Sequence, residues 1–448
     1  MNLPPALVNE FKQFDSYQAV FSPSNLSRLA RRTGFIFRSR KLSAAGFGLL
    51  CCFLPSAGCY PSLDQMIGAL FVHWGIRMQK SSLHERFTPS AVAFIREVFH
   101  QVLAREFITS SLGSWTSRFK EIIVLDSTVV NLSSQCADLF AGFGGGASTS
   151  SAKIQFNLGL ISGKIWEMSL LPGRSTDLSY RLGDIQRGAL YLFDLGYACA
   201  DNFKTIIQNN AWFLTRYKYK TTLYRPNGQP ISQRTLLRLV KTMKVGSRID
   251  MQVLLGATAQ VPCRLVLEKL PQDVADQIRR KLRTDKQKKI KQLSAERLLF
   301  CDVNAYITNL SQSQLPAERM RDVYGIRWQI EILFKTWKSF FRIDQTRNIG
   351  PYQFQCCLYG ALIRIVISSR IFQILKLQCW NTLQIELSEI KAMKYLDSLK
   401  PKFARWIFFD STLLRQILEE TWITLHHSCR KEAKKGDNTP FGLINDLP

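Results

Sequence analysis

The stretch Tyr324–Lys338, YGIRWQIEILFKTWK, constrains this chain more than any other. It has no proline, and no glycine after Gly325, and its length suits roughly four turns of helix. At about 100° per residue, Tyr324, Arg327, Glu331 and Lys338 fall within roughly a 60° wedge of one face. Ile330, Leu333, Trp337, Phe340 and Phe341 fall on the opposite face. One side is suited to a core, and the other lines up a phenol, a guanidinium, a carboxylate and an ammonium. A carboxylate flanked by cations suits a metal site beside phosphates: the carboxylate binds the cation while Arg and Lys grip the anion. An ordinary amphipathic helix with internal ion pairs accounts for the same residues.

Charge favours the first of these readings. Lys and Arg number 60 against 34 acids, a net charge of +26, and such an excess calls for a polyanionic partner. Nucleic acid comes first and an anionic membrane surface second. The apolar runs argue against a membrane. Ala44–Cys59 is broken by Pro55 and Gly58, and the run from Leu358 to Leu377 carries Arg364 and Arg370. Neither is expected to supply the about 20 uninterrupted apolar residues of a span, and MNLPPALVNEF does not resemble a signal peptide. Eleven cysteines without C-x-x-C or zinc-like spacing read as buried, reduced thiols, and the expected location is the cytoplasm.

With 448 residues, the chain exceeds one core. Up to about 113 the pattern is helical. SPSNLSRLARRTGF opens on cap-type residues and spaces Leu26, Leu29 and Ala30 helically. SLDQMIGALFVHWG, a turn at Gly75, and a polar stretch with Lys80, Ser81, Ser82, His84 and Arg86 together suggest a helix-turn-helix that contacts DNA. From Glu121 the texture changes. IIVLD, AKIQFNLGLIS, KIWEMSLL, LYLFD and AWFLTRYKYK read as strands, with a helix over DNFKTIIQNN capped by Asp201. Strands alternating with a helix indicate an α/β sheet. Thr221–Asp302 reads as strand-rich, and Arg279–Lys291, with eight cations and one acid, as a phosphate-contacting arm. AYITNL is a further strand, and helices are expected to about Thr424.

Asp126 and Asp194 each close an apolar strand-like run, where a side chain stands at the carboxyl edge of a sheet. Together with Glu331 on its helix they can hold two divalent cations, an arrangement that activates a water or a 3′-hydroxyl against a phosphodiester. All-oxygen ligands suit Mg²⁺, with Mn²⁺ the alternative. Singly, a strand-terminal Asp is more often a turn or helix cap.

These residues resemble the DDE transposases of bacterial insertion sequences, specifically the insertion-sequence-four family. The family signature Y-x2-R-x3-E-x6-K is met by Tyr324, Arg327, Glu331 and Lys338 without a spacing error, and VLDST at Asp126 and LFDLGYA at Asp194 match as well. The resemblance covers about 20 to 430. It implies an α/β, ribonuclease H-like catalytic core in two parts, 114–220 and 303–375. A mostly β insertion, 221–302, would separate them, with a helical DNA-binding region at 1–113 and a helical C-terminal region at 376–448. It implies cut-and-paste transposition by a homodimer on double-stranded DNA, the element's terminal repeats and the target. Asp126, Asp194 and Glu331 would be catalytic metal ligands, and Tyr324, Arg327 and Lys338 would hold phosphates. Arg216 and Lys218 match a basic pair that contacts end DNA. In the best-known member a flipped base stacks on a Trp near the end of the insertion. Here FCDVNAYITNL has none, which leaves Phe300 or Tyr306, and Tyr306 is expected to be a sheet residue. A catalytically silent DNA-binding derivative and a nuclease without strand transfer remain open as alternatives.

Overall fold

The computed structural model describes residues 14–36, 41–54, 60–104, 118–144, 148–162, 164–177, 180–287, 293–339, 341–346 and 348–431. The first helices are α1 Asp15–Phe21, α2 Pro23–Arg32, α3 Ala44–Cys52, α4 Leu63–Trp74, α5 Lys80–His84 and α6 Pro89–Leu103. Strands β1 Glu121–Asn131, β2 Ser151–Gly159, β3 Ile165–Pro172 and β4 Ala189–Phe193 follow, then α7 Ala200–Gln208 and β5 Trp212–Arg216. The next stretch holds β6 Leu223–Tyr224, β7 Pro230–Ile231, α8 Gln233–Thr242, β8 Arg248–Leu255, β9 Val261–Lys269, α9 Gln272–Gln287 and α10 Ala295–Leu299. Strand β10 Val303–Thr308 leads to α11 Met320–Gly325, α12 Trp328–Ser339 and α13 Pro351–Leu383. Helices α14 Glu389–Ser398, α15 Lys400–Phe408 and α16 Leu413–Ser428 complete the order. The chain forms two compact units, one over the described residues of Met1–Ser110, Ser127–Ser175 and Ile330–Phe441, the other over those of Ser111–Asp126 and Thr176–Gln329.

The first unit is mainly helical. Helix α2 starts as its sequence dictates: Ser22 accepts from the Asn25 amide and Pro23 occupies the first turn. Leu26, Leu29 and Ala30 are buried while Arg28, Arg31 and Arg32 face outward. The centre of this unit is the crossing of α3 and α13. A Cβ added at Gly360 would lie 2.1 Å from the Cys51 carbonyl oxygen, so only glycine allows the backbones this close. The arginines that interrupt the apolar run of α13 are both buried and both donate to carbonyls, Arg364 to Cys52 and Arg370 to Ser162. Cys52 ends α3, where carbonyls lack helical partners and a cation is favoured. The run therefore forms one helix of 33 residues that, contrary to expectation, is long and apolar enough to cross a membrane, and 89% of its most apolar window is buried in the protein itself.

The helix-turn-helix is not realised as expected. Helix α4 has a capping box at Ser62 and stops at Gly75 with φ +64°. The polar segment after it yields only five helical residues, because Thr88 caps and Pro89 opens α6. Strands β3 and β2 pair antiparallel in this unit, and β2 neighbours β1. Gly163, expected between them, lies outside the described residues, as do the tail from 432 and the run from 288 to 292.

In the second unit the sheet runs β1-β4-β5-β10-β9-β8-β6-β7. Strands β1, β4 and β5 are parallel, with Leu125 beside Phe193 and Leu192 beside Leu214, and β10 returns antiparallel to β5. Helix α7 is flanked at its start by Cys199, and Asp201 sits in its first turn instead of capping it. Residues 221–302 depart from the mostly β expectation: α9 alone has 16 residues, against 8 and 9 in β8 and β9. TLLRLVKT, read as strand, is helical in α8 because Leu236, Leu237 and Val240 share one buried face and Ser232 caps the start by accepting from Thr235. The cationic run from Arg279 begins inside α9 as a helix.

Candidate active site

Parallel pairing brings two of the expected carboxylates side by side. Leu125 of β1 is in register with Phe193 of β4, so Asp126 and Asp194 occupy the next position on adjoining strands. Asp194 follows β4 directly, is exposed, and starts a turn of 3₁₀ helix whose Tyr197 amide donates to its carbonyl at 3.0 Å. Asp126, by contrast, does not end its strand: β1 continues to Asn131. Its carboxylate is half-buried and faces the Arg327 guanidinium at 3.5 Å.

The signature helix is broken. Helix α11 ends at Gly325, Ile326 and Arg327 form a turn, and α12 begins at Trp328. The angular count that grouped Tyr324, Arg327, Glu331 and Lys338 on one wedge assumed one continuous helix, and it does not carry across this turn. Tyr324 and Arg327 belong to the second unit, Glu331 and Lys338 to the first. Glu331 is half-buried in the first turn of α12, and the Lys338 ammonium donates to the Val129 carbonyl at 3.2 Å. The apolar face is borne out at Trp337 and Phe341, both buried, and Trp337 meets Phe156 edge-on at 4.7 Å. The side chains of Ile330, Leu333 and Phe340 lie outside the described residues.

Tyr324 is the hub of the cluster in its unit. Its ring is 6% exposed, lies 5.4 Å from the Tyr306 ring, and has the guanidinium carbons of Arg216 and Arg327 at 5.5 and 5.8 Å from its centroid. Its hydroxyl is buried and makes no hydrogen bond of normal geometry among the described residues. Burial pushes this phenol up to about 12, the Arg327 guanidinium pulls it down, and the Asp194 carboxylate pushes it further up. Arg216 stands at the end of β5 opposite Tyr306 of β10 and is exposed, as is Lys218 two residues on. Tyr306 is a buried sheet residue, as expected, and Phe300 is buried against the Tyr219 ring at 4.9 Å.

Asp126 and Asp194, both in the second unit, offer oxygen donors, which suit a hard divalent cation. Among the described residues, no three His, Cys, Asp or Glu side chains stand close enough together to hold an ion. The pairing of Asp126 with Asp194 was legible only as two similar runs; the sequence carries no sign of which strands adjoin. Against the larger upward push of burial, Arg321, which no sequence motif marks, lowers the pKa of the Tyr306 phenol from one turn before Tyr324.

Two strand carboxylates, a guanidinium and a buried phenol thus stand together in the second unit of a mixed α/β protein. The family described as Transposase DDE domain matches residues 117–367, more than half of the chain, and the chain belongs to that family. The transposase for insertion sequence element IS1151 of Clostridium perfringens is 28% identical over 450 residues, 96% of this chain and 95% of that protein. The transposase for insertion sequence element IS231D of Bacillus thuringiensis subsp. finitimus is 30% identical, over 94% of this chain and 92% of its own length. A solved synaptic complex of piggyBac transposase with hairpin DNA aligns with TM-score 0.44 and 11% identity, covering 96% of this chain and 88% of that one, too low a score to establish a shared fold.

Proposed function

We propose that this protein is a metal-dependent DNA transposase that cleaves at the ends of an insertion sequence and joins them to target DNA. The observation that carries this reading is the emergence of Asp126 and Asp194 from adjoining parallel strands in a chain of the Transposase DDE domain family. Asp126, Asp194 and Glu331 are the residues we assign as ligands of Mg²⁺, or of Mn²⁺. When bound, such ions supply Lewis-acid activation of the attacking oxygen and neutralise charge on the phosphodiester. Arg327, beside Asp126, and Tyr324 orient phosphate oxygens at the cleaved bond, and Lys338 does so from α12. Arg216 and Lys218 hold end DNA. Water attacks the phosphodiester at the element end and frees a 3′-hydroxyl, which then attacks the target strand.

We read the core as ribonuclease H-like, with 114–220 and 303–375 as its two parts, 221–302 as the insertion, and 1–113 and 376–448 as the helical flanks. A homodimer in the DNA complex, working in the bacterial cytoplasm, follows from the same family resemblance.

The experiment is cleavage of DNA carrying the flanking element ends, with Mg²⁺ or with EDTA, by the wild type and by Glu331→Gln. The expected result is metal-dependent nicking at the 3′ end, lost in the variant. End binding without nicking by the wild type would mark a silent DNA-binding derivative, and nicking that survives in the variant would remove Glu331 from the site.

A further inference from the structure

Helix α8 presents a cationic stripe that no acid answers. Arg234, Arg238 and Lys241 stand four and three residues apart, so they share one face within roughly 60°, and all three are exposed. The helix, QRTLLRLVKT, contains neither Asp nor Glu. Its other face is fixed by burial of Leu236, Leu237 and Val240, so the cations cannot turn inward. Among the described residues none of the three has a hydrogen bond or an ion pair.

Several cations elsewhere in the same unit do pair with acids. Arg248 meets Glu268 at 2.9 Å, Lys269 meets Asp302 at 3.0 Å, Arg264 pairs with Asp250, and Arg279 with Asp276 and Asp302. The start of α8 is also tied to the basic strand end: Gln233 donates to the Tyr217 hydroxyl at 3.3 Å, and that hydroxyl donates to the Thr221 carbonyl at 2.6 Å. Tyr217 lies between the exposed Arg216 and Lys218. The three cations of α8 extend over roughly 10 Å of helix axis, a length in which one DNA strand presents about three phosphates.

We propose that α8 is a DNA-backbone contact that continues the Arg216–Lys218 surface and holds duplex phosphates without reading sequence. The inference rests on the transposase reading only in that the partner is DNA. It is tested by anisotropy titrations of a labelled, mixed-sequence duplex with the full-length protein over a range of salt. In Arg234→Gln/Arg238→Gln/Lys241→Gln, glutamine keeps the helix propensity. The slope of log affinity against log salt is expected to become shallower by about 2 to 3, near 0.9 for each phosphate released. Lys394→Gln/Lys402→Gln/Arg415→Gln, spread over α14, α15 and α16 at exposed positions, removes the same charge and is expected to change the slope far less. Arg238→Gln alone, expected to lower the slope by about 1, keeps the test valid should the triple variant unfold. An unchanged slope in the α8 variants, or an equal loss in the C-terminal control variant, overturns the inference while leaving the DNA reading intact. A wild type that binds no duplex overturns both.

Discussion

The α3–α13 crossing and the Tyr324 cluster are both buried, yet they use their guanidiniums differently. At the crossing, Gly360 lets two backbones touch and the guanidiniums of Arg364 and Arg370 are anchored on carbonyls. Around Tyr324, two guanidiniums flank a ring whose hydroxyl has no hydrogen-bond partner among the described residues. A buried polar atom without a partner costs free energy. The crossing is packed for stability, and under the function proposed above the cluster would meet an anion.

The largest stability effect should come from the crossing. Gly360→Ala would drive a methyl group into the Cys51 carbonyl, which is backbone and cannot rotate away. A loss of about 3 kcal/mol or more is expected, read as a lower urea midpoint. An unchanged midpoint would mean that α3 can slide, and the contrast with the cluster would dissolve.

Arg327→Gln comes next. It removes the cation that faces Asp126 at 3.5 Å. Because that pair is half-buried, stability should fall by only about 1 kcal/mol. End cleavage should fall much further, by about 10²-fold. A loss of stability with cleavage intact would reduce Arg327 to a structural ion pair and place the cluster in the same category as the crossing.

How far the sequence showed this contrast depends on the element. Capped, amphipathic helices such as α2 were legible because Ser22, Pro23 and the spacing of Leu26, Leu29 and Ala30 are local signals. Strand runs ending near Asp126 and Asp194 were legible for the same reason. Their adjacency was not, because parallel pairing is a long-range choice without a local mark. The periodicity of Tyr324–Lys338 misled because a helical count assumes an unbroken helix, and Gly325 ends one instead. Leu and Val in TLLRLVKT suggested strand, whereas the helical spacing of Leu236, Leu237 and Val240 decided the outcome.

Tyr324→Phe should have the smallest effect, and it separates the two kinds of site most directly. Among the described residues the hydroxyl makes no hydrogen bond of normal geometry, and its interaction with the Arg327 guanidinium is weak, so at neutral pH the variant's stability should change by no more than about 1 kcal/mol. If that hydroxyl meets a phosphate oxygen, end cleavage should nevertheless fall by a few-fold to about tenfold, the worth of one hydrogen bond. The pH dependence tests the burial itself. The folded phenol is pushed up to about 12, while an unfolded tyrosine ionises near about 10. Between those values the unfolded chain releases the proton and the folded one keeps it, so this residue's contribution is complete below about pH 10 and is lost as pH rises toward 12. The wild type should therefore lose stability relative to Tyr324→Phe on crossing about pH 10, measured by urea unfolding of both proteins on either side of it. A difference that stays constant with pH would mean the phenol is hydrated in solution, and the hydroxyl would no longer be a buried group awaiting an anion.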